Sequence, residues 1–238
     1  MTKKKNVLMR SAGLLLALVL VTSCFVGSTF AKYTSAADAT ESARVAKFGV
    51  TVTANGDMFA KEYATDDTGV AGTIAKSVIS TDEVVAPGTK KEGFVAARIA
   101  GTPEVAVRVS YKLDAGTLAI DGWKLADDSF YCPLVFKVKA TDGTEKVISG
   151  MNFADADAMK TALVDAVAAY TKDYAPGTNL SGVGADTLTI SWEWPFEGGT
   201  GTVCSQSDTN DTYLGNQAAA GNAATVSLTL ATTVTQID

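Results

Sequence analysis

Apolar and polar residues alternate along most of the chain after residue 45. The clearest run covers residues 105–113, where valine, tyrosine and leucine fill one set of alternate positions and charged or hydroxyl residues fill most of the other. A period of two is typical of a strand that packs one face on a core and exposes the other. Similar alternation predicts further strands at residues 45–53, 73–80, 93–100, 188–194 and 226–235.

Residues 132–139 and 146–148 predict a pair of strands joined by a tight turn. Asp142 and Gly143 lie between the two runs. An Asp-Gly pair flanked by alternating residues is a strong signal for a β-hairpin, because both turn positions tolerate a positive φ angle.

Residues 155–172 follow a helical period instead of an alternating one. Asp155 or Asp157 can cap the start of the helix, and Pro176 and Gly177 would stop it. A single buried stripe would be formed by apolar residues spaced three and four positions apart, namely Met159, Leu163, Ala166, Val167 and Tyr170. Residues 198–217, rich in glycine, aspartate and asparagine, predict a polar loop.

These elements predict one all-β domain over residues 45–238. Short strands separated by turn signals are typical of an antiparallel β-sandwich, here with one inserted amphipathic helix. Trp192 and Trp194 share one face of a predicted strand. Leu188 and Ile190 on the same face favour a core anchor, and a platform that stacks against sugars is the alternative.

The N-terminus has the pattern of an export signal. Three lysines and Arg10 precede an apolar run at residues 13–21, which is short for a transmembrane helix of about 20 apolar residues. Cleavage after Ala31 would leave Lys32 as the mature N-terminus. The alternative is lipidation of Cys24, because residues 21–24 resemble a bacterial lipobox. We therefore predict a bacterial protein that is secreted or held at the cell surface, with a signal at residues 1–31.

The charge balance argues against nucleic acid as a partner. The chain has 20 basic and 26 acidic residues. Four of the basic residues lie in the signal, which has no acidic residue, so the mature chain would have 16 basic and 26 acidic residues. A net charge near −10 repels nucleic acid and anionic membranes. We expect contact with a membrane only during export, or through a lipid on Cys24.

The residue types that carry most enzyme chemistry are scarce. The chain contains no histidine, which excludes Ser-His-Asp and Cys-His catalysis and histidine zinc sites. We predict no catalytic residue, cofactor or small-molecule substrate. Asp208 and Asp211 belong to an acidic stretch that suits calcium, although a solvated loop is the simpler interpretation. Cys132 and Cys204 are left after signal removal, and a disulfide between them is an open alternative.

Residues 32–44 are small and polar, with Tyr33 as the one bulky side chain. Such a segment buries little surface by itself. It is either a disordered tail or an extended arm that pairs with the exposed sheet edge of another subunit.

Four stretches of the sequence resemble the TasA and camelysin family of exported bacterial proteins. The first, residues 30–34, follows the signal. The others are residues 43–52, 189–197 and 208–215, and together the four span most of the chain. The resemblance implies a jelly-roll-like domain that assembles into biofilm matrix fibres, with a signal removed by a dedicated signal peptidase. The metalloprotease activity described for camelysins does not carry over, because this chain has no histidine.

The resemblance also implies that the N-terminal arm is a donor strand, which favours the second interpretation of residues 32–44. Tyr33, Ser35 and Ala37 would lie in the donated strand. The partner would be a second copy of this chain or a related matrix protein. We therefore expect a secreted, non-enzymatic structural protein that assembles by strand addition. The alternative is a monomeric surface lipoprotein or a glycan-binding module that uses Trp123, Trp192 or Trp194.

Overall fold

Antiparallel strands make up most of the described chain after residue 45. The structure is a computed structural model that describes residues 10–20, 43–64, 73–95, 97–140, 142–182, 188–196 and 202–238, with the backbone alone for 182 and 202–206. In these residues there are thirteen strands: β1 (Thr51–Ala54), β2 (Glu62–Ala64), β3 (Thr73–Lys76), β4 (Lys90–Val95), β5 (Ala97–Ala100), β6 (Val107–Leu113), β7 (Ala119–Asp121), β8 (Val135–Lys139), β9 (Glu145–Ser149), β10 (Thr171–Tyr174), β11 (Thr189–Glu193), β12 (Thr225–Ser227) and β13 (Leu230–Gln236).

The strands pair in antiparallel groups. The largest group has the order β4-β11-β8-β9, and a second has the order β10-β6-β13. Three pairs complete the described sheets: β1-β5, β12-β7 and β2-β3. β4 and β5 are separated by one residue in the sequence but belong to different groups. The predicted all-β sandwich with an inserted helix is confirmed.

The chain divides into two units, Met1–Arg44 and Val45–Asp238. In the first unit, helix α1 is described over residues 10–20, and its side chains are exposed. Within the described residues, no helix combines the length and the apolar character needed to cross a membrane.

The core of the second unit lies under the strands that alternate most regularly. Val107, Val109, Tyr111 and Leu113 of β6 are at most 3% exposed, as their spacing predicts. In the larger sheet, Trp192 of β11 stands opposite a buried phenylalanine of β8. The predicted hairpin is also confirmed, because β8 and β9 pair around the turn at residues 142–143.

Helix α2 (Ala156–Ala168) starts where the sequence predicts and ends earlier. The Asp155 carboxylate accepts a hydrogen bond from the Ala158 N–H at 2.8 Å, which makes Asp155 the N-cap. Met159, Leu163 and Val167 are buried. The predicted end near residue 172 is wrong, because residues 171–174 form β10 and pair with β6. There the backbone N–H and carbonyl groups pair with β6 instead of forming another helical turn.

Helix α3 (Thr202–Ala219) occupies the segment for which a loop was predicted. The described buried residues of this helix are Ser207, Asp211 and Leu214, spaced by four and three positions. That spacing is helical, but two of the three residues are polar. The loop prediction was therefore wrong, because the buried face has only one apolar residue, Leu214, among the side chains that the structure describes.

Several predicted strands have different limits in the structure, and the strand predicted at residues 93–100 corresponds to β4 and β5. The first predicted strand begins at Thr51, not near residue 45. The strand predicted at residues 73–80 ends at Lys76, and the Ser77 hydroxyl accepts a hydrogen bond from the Ile79 N–H in a turn. The C-terminal strand is divided into β12 and β13. A turn that depends on a single hydroxyl group is hard to predict from the pattern of hydrophobic residues.

Candidate functional site

The segment that leads into β1 forms two hydrogen bonds with Glu104 through the backbone of Lys47. The Lys47 N–H donates to Glu104 Oε2 at 2.8 Å, and the Glu104 N–H donates to the Lys47 carbonyl oxygen at 2.8 Å. Residues 43–50 form no strand, and Val45 is 92% exposed. We call residues 43–50 the arm root, because the predicted donor arm precedes them.

Two glycines fix the path of the arm root. Gly101, just after β5, has φ +125°, and a Cβ atom at this position would overlap the carbonyl oxygen of Gly49. Gly49 itself has φ +49°. Only glycine allows this backbone geometry together with so close an approach of two segments of the backbone. The crossing also explains why no strand forms over residues 45–50.

A groove of about 640 Å³ runs along β4 and β5. Its lining includes consecutive residues of each strand, 91–95 in β4 and 97–100 in β5, with Asn55, Asp57, Leu180 and Ser181 beside them. Consecutive strand residues point to opposite faces of a sheet. A groove lined by residues from both faces therefore follows the edge of the strands.

The backbone at this edge is only partly paired within the described residues. β4 is the terminal strand of its sheet, with β11 as its hydrogen-bonded neighbour. The Asn55 side chain donates to the Val95 carbonyl oxygen at 3.1 Å, just beyond the end of β1. Gly93 has φ +62° and open space where a Cβ atom would lie. The groove thus offers a strand edge with room beside it.

The charges along the groove are balanced. Lys91 and Arg98 are basic, and Asp57 and Glu92 are acidic. A small charged ligand would meet groups of both charges. An extended peptide could instead pair its backbone with the strand edge and place its side chains near groups of either charge. The arrangement therefore suits recognition of a polypeptide strand.

All three tryptophans are buried, so none offers a face to a sugar. Trp123, Trp192 and Trp194 are at most 5% exposed. Each indole N–H donates a hydrogen bond inside the protein, to the carbonyl oxygens of Thr225 and Met58 and to the Asp211 carboxylate respectively. The core interpretation of Trp192 and Trp194 is confirmed, and a glycan-binding function would need residues other than the three tryptophans.

The acidic stretch at residues 208–211 is helical and does not form a calcium loop. Asp211 points inward and accepts hydrogen bonds from the Tyr131 hydroxyl at 2.7 Å and from the Trp194 indole at 3.1 Å. Burial raises the pKa of the Asp211 carboxyl above its ordinary value. Across the described residues, no cluster of three or more histidine, cysteine, aspartate or glutamate side chains could hold a metal ion.

Cys132 is a free cysteine and fully buried. Its burial raises the pKa of the thiol to about 12. Cys132 forms no disulfide in the structure, and the side chain of Cys204 lies outside the described residues.

The remaining predicted site residues also lie outside the described part of the chain. They are the lipidation candidate Cys24, the cleavage positions Ala31 and Lys32, and the donor-arm residues Tyr33, Ser35 and Ala37. The structure instead adds the β4–β5 groove and the Glu104 contact, which sequence patterns did not indicate. An edge strand and an inner strand of a sheet share the same alternation, so only the pairing distinguishes them.

Comparisons with protein-family models, curated proteins and solved structures found no match to this chain. The function is therefore inferred from the sequence and from the geometry of the described residues.

Proposed function

We propose that this protein is a secreted, non-enzymatic subunit of a bacterial extracellular matrix, and that its copies assemble into fibres by strand addition. Residues 32–43 of one copy would pair with the β4–β5 edge of the next. The observation that carries this proposal is the groove along that edge, since unpaired strand edges bind extended chains through backbone hydrogen bonds.

The arm is longer than either strand of the groove. The groove is lined by five residues of β4, 91–95, and by all four residues of β5, which extend over about 17 and 13 Å at the rise of a β-strand. Residues 32–43 would extend over about 40 Å in the same conformation. The arm is thus long enough to pair along either strand.

The side chains on both partners are compatible with close contact. Residues 35–40 of the arm are serine, alanine, aspartate and threonine. The groove includes Gly93, Ala97 and Ala100, which leave its lining shallow. Affinity would come mainly from the backbone ladder, and the small side chains would allow the two chains to approach.

Removal of the arm provides the main test. Protein that begins at Lys32 should form fibres visible by electron microscopy, and protein that begins at Arg44 should sediment as a folded monomer. A synthetic peptide of residues 32–43 should bind the truncated protein, and a peptide with the same residues in scrambled order should not. Normal fibres from the truncated protein would refute strand addition by this arm.

The mass of the protein recovered from its native host tests the rest of the proposal. A free N-terminus at Lys32 is the expected result, since it leaves the arm available to a second copy. A diacylated Cys24 on unpolymerised protein would instead support the surface-lipoprotein alternative.

A further inference from the structure

The described part of the buried face of helix α3 is mostly polar. Of its residues with described side chains, three are buried: Ser207, Asp211 and Leu214. Only Leu214 contributes an apolar side chain. The apolar area that holds this part of α3 is therefore small, and its attachment depends strongly on the hydrogen bonds of Asp211.

Asp211 joins α3 to two other parts of the domain. Its Oδ1 atom accepts from Tyr131, which precedes β8, and its Oδ2 atom accepts from Trp194, which follows β11. The Trp194 ring packs against the Trp123 ring with centroids 5.4 Å apart. The Trp194 backbone is fixed by hydrogen bonds to Thr89 and Gly88. One carboxylate thus links the helix to a rigid, aromatic part of the core.

The charged form of this carboxylate has no cation to stabilise it among the described residues. Asp211 is 9% exposed, and the charged residue that acts on it most directly is Asp208, one turn earlier on the same helix. Lys124, in the segment that carries Tyr131, is ion-paired with Asp128 at 2.6 Å. Residues 197–206, which precede and begin the helix, contain no lysine or arginine.

The other titratable groups around Asp211 do not compensate its charge. Tyr131 is neutral at physiological pH, because burial and the neighbouring carboxylate raise the pKa of its hydroxyl. Cys132, the next residue, is also neutral because burial raises the pKa of its thiol to about 12. The hydrogen bonds from Tyr131 and Trp194 favour the ionised form of Asp211, but burial opposes that form more strongly and raises the pKa of the carboxyl.

We propose that α3 is a pH-sensitive latch, which docks more tightly on the sandwich when Asp211 is protonated than when it is ionised. This inference goes beyond the proposed function and does not depend on it. Release of the helix would expose Trp194 and Tyr131, and would free the chain between β11 and β12.

The direction of the pH effect follows from the burial of Asp211 without a described cation beside it, which outweighs its two hydrogen bonds and raises the pKa of the carboxyl. Docking favours the protonated carboxyl, so its contribution is fully present below the pKa of the undocked helix. The contribution is lost as the pH rises through the pKa of the docked state. Each unit by which docking raises the pKa corresponds to a change of about tenfold in the docking equilibrium.

Hydrogen exchange of the α3 amides, corrected for the intrinsic pH dependence of exchange, tests the latch. In the wild-type protein, protection at residues 207–219 should fall as the pH rises from 4 to 8, while protection in α2 stays constant. D211N presents a neutral side chain of the same shape, so its α3 protection should be high and independent of pH. The matched control is D165N, which removes an exposed carboxylate from α2 and should keep the wild-type profile.

Two results would overturn the latch. One is a D211N protein whose α3 protection falls with pH as in the wild type. The other is an NMR titration of the wild-type protein in which the carboxyl carbon of Asp211 titrates at or below the ordinary pKa of an aspartate. The second measurement needs no variant, so it decides the question even if D211N fails to fold.

Discussion

At residue 101 the chain has room for no side chain larger than hydrogen. The backbone there has φ +125° and crosses the carbonyl group of Gly49. The crossing lies next to the hydrogen bonds between Lys47 and Glu104. Position 101 therefore controls the local packing of the segment that leads into β1.

A G101A substitution should destabilise the protein more than alanine at another glycine with positive φ. Gly177 is the matched control, because it has φ +80° and open space where a Cβ atom would lie. G177A adds only backbone strain, about 1–2 kcal/mol. G101A adds a steric overlap, which should cost about 1–3 kcal/mol more. Urea unfolding of the two variants gives both values, and equal losses would show that the overlap is relieved without cost.

At the scale of elements, the two helices of the second unit show what a hydrophobic pattern can and cannot predict. Helix α2 buries Met159, Leu163 and Val167, so its period is visible in the sequence. Helix α3 buries Asp211, whose partners Tyr131 and Trp194 lie far away in the chain. A polar residue is recognised as buried only when its partners are known, and a single sequence does not supply them.

The strands show the same distinction between local and distant information. Alternation predicted β6, β8 and β11 well, because each packs one face on the core. It did not predict the break before Thr51, which depends on the contact of Gly49 with Gly101. It also gave no sign of the β4–β5 groove, since a free edge is defined by a missing neighbour.

The N-cap of α2 gives a prediction at this scale. D155A removes the carboxylate that accepts from the Ala158 N–H, and should lower the free energy of unfolding by about 0.5–2 kcal/mol. D157A serves as the control, because it removes an acidic residue from the first turn without removing the cap. D157A should lower the free energy of unfolding by less, since the ion pair of Asp157 with Lys160, at 3.5 Å, contributes about 0–1 kcal/mol. A larger loss in D157A would contradict the assignment of the cap.

For the whole molecule, the net charge opposes the assembly that we propose. Removal of residues 1–31 takes away Lys3, Lys4, Lys5 and Arg10, and would change the net charge from −6 to about −10. Every copy then repels the next at neutral pH. The β4–β5 groove offers little compensation, because its own charges are balanced. Strand addition would have to overcome a repulsion that acts between whole domains.

Fibre assembly of the mature protein should therefore become faster as salt is added. Raising the ionic strength from about 0.01 to 0.1 M shortens the screening length from about 30 to 10 Å, which weakens repulsion between domains more than it weakens a backbone ladder. Light scattering would follow assembly in sodium chloride, with sucrose as a control that leaves the ionic strength unchanged. Slower assembly in salt would contradict this expectation, and would indicate that ion pairs drive contact between copies. Because the truncated protein has nearly the same charge but lacks the arm, it should stay monomeric at every salt concentration.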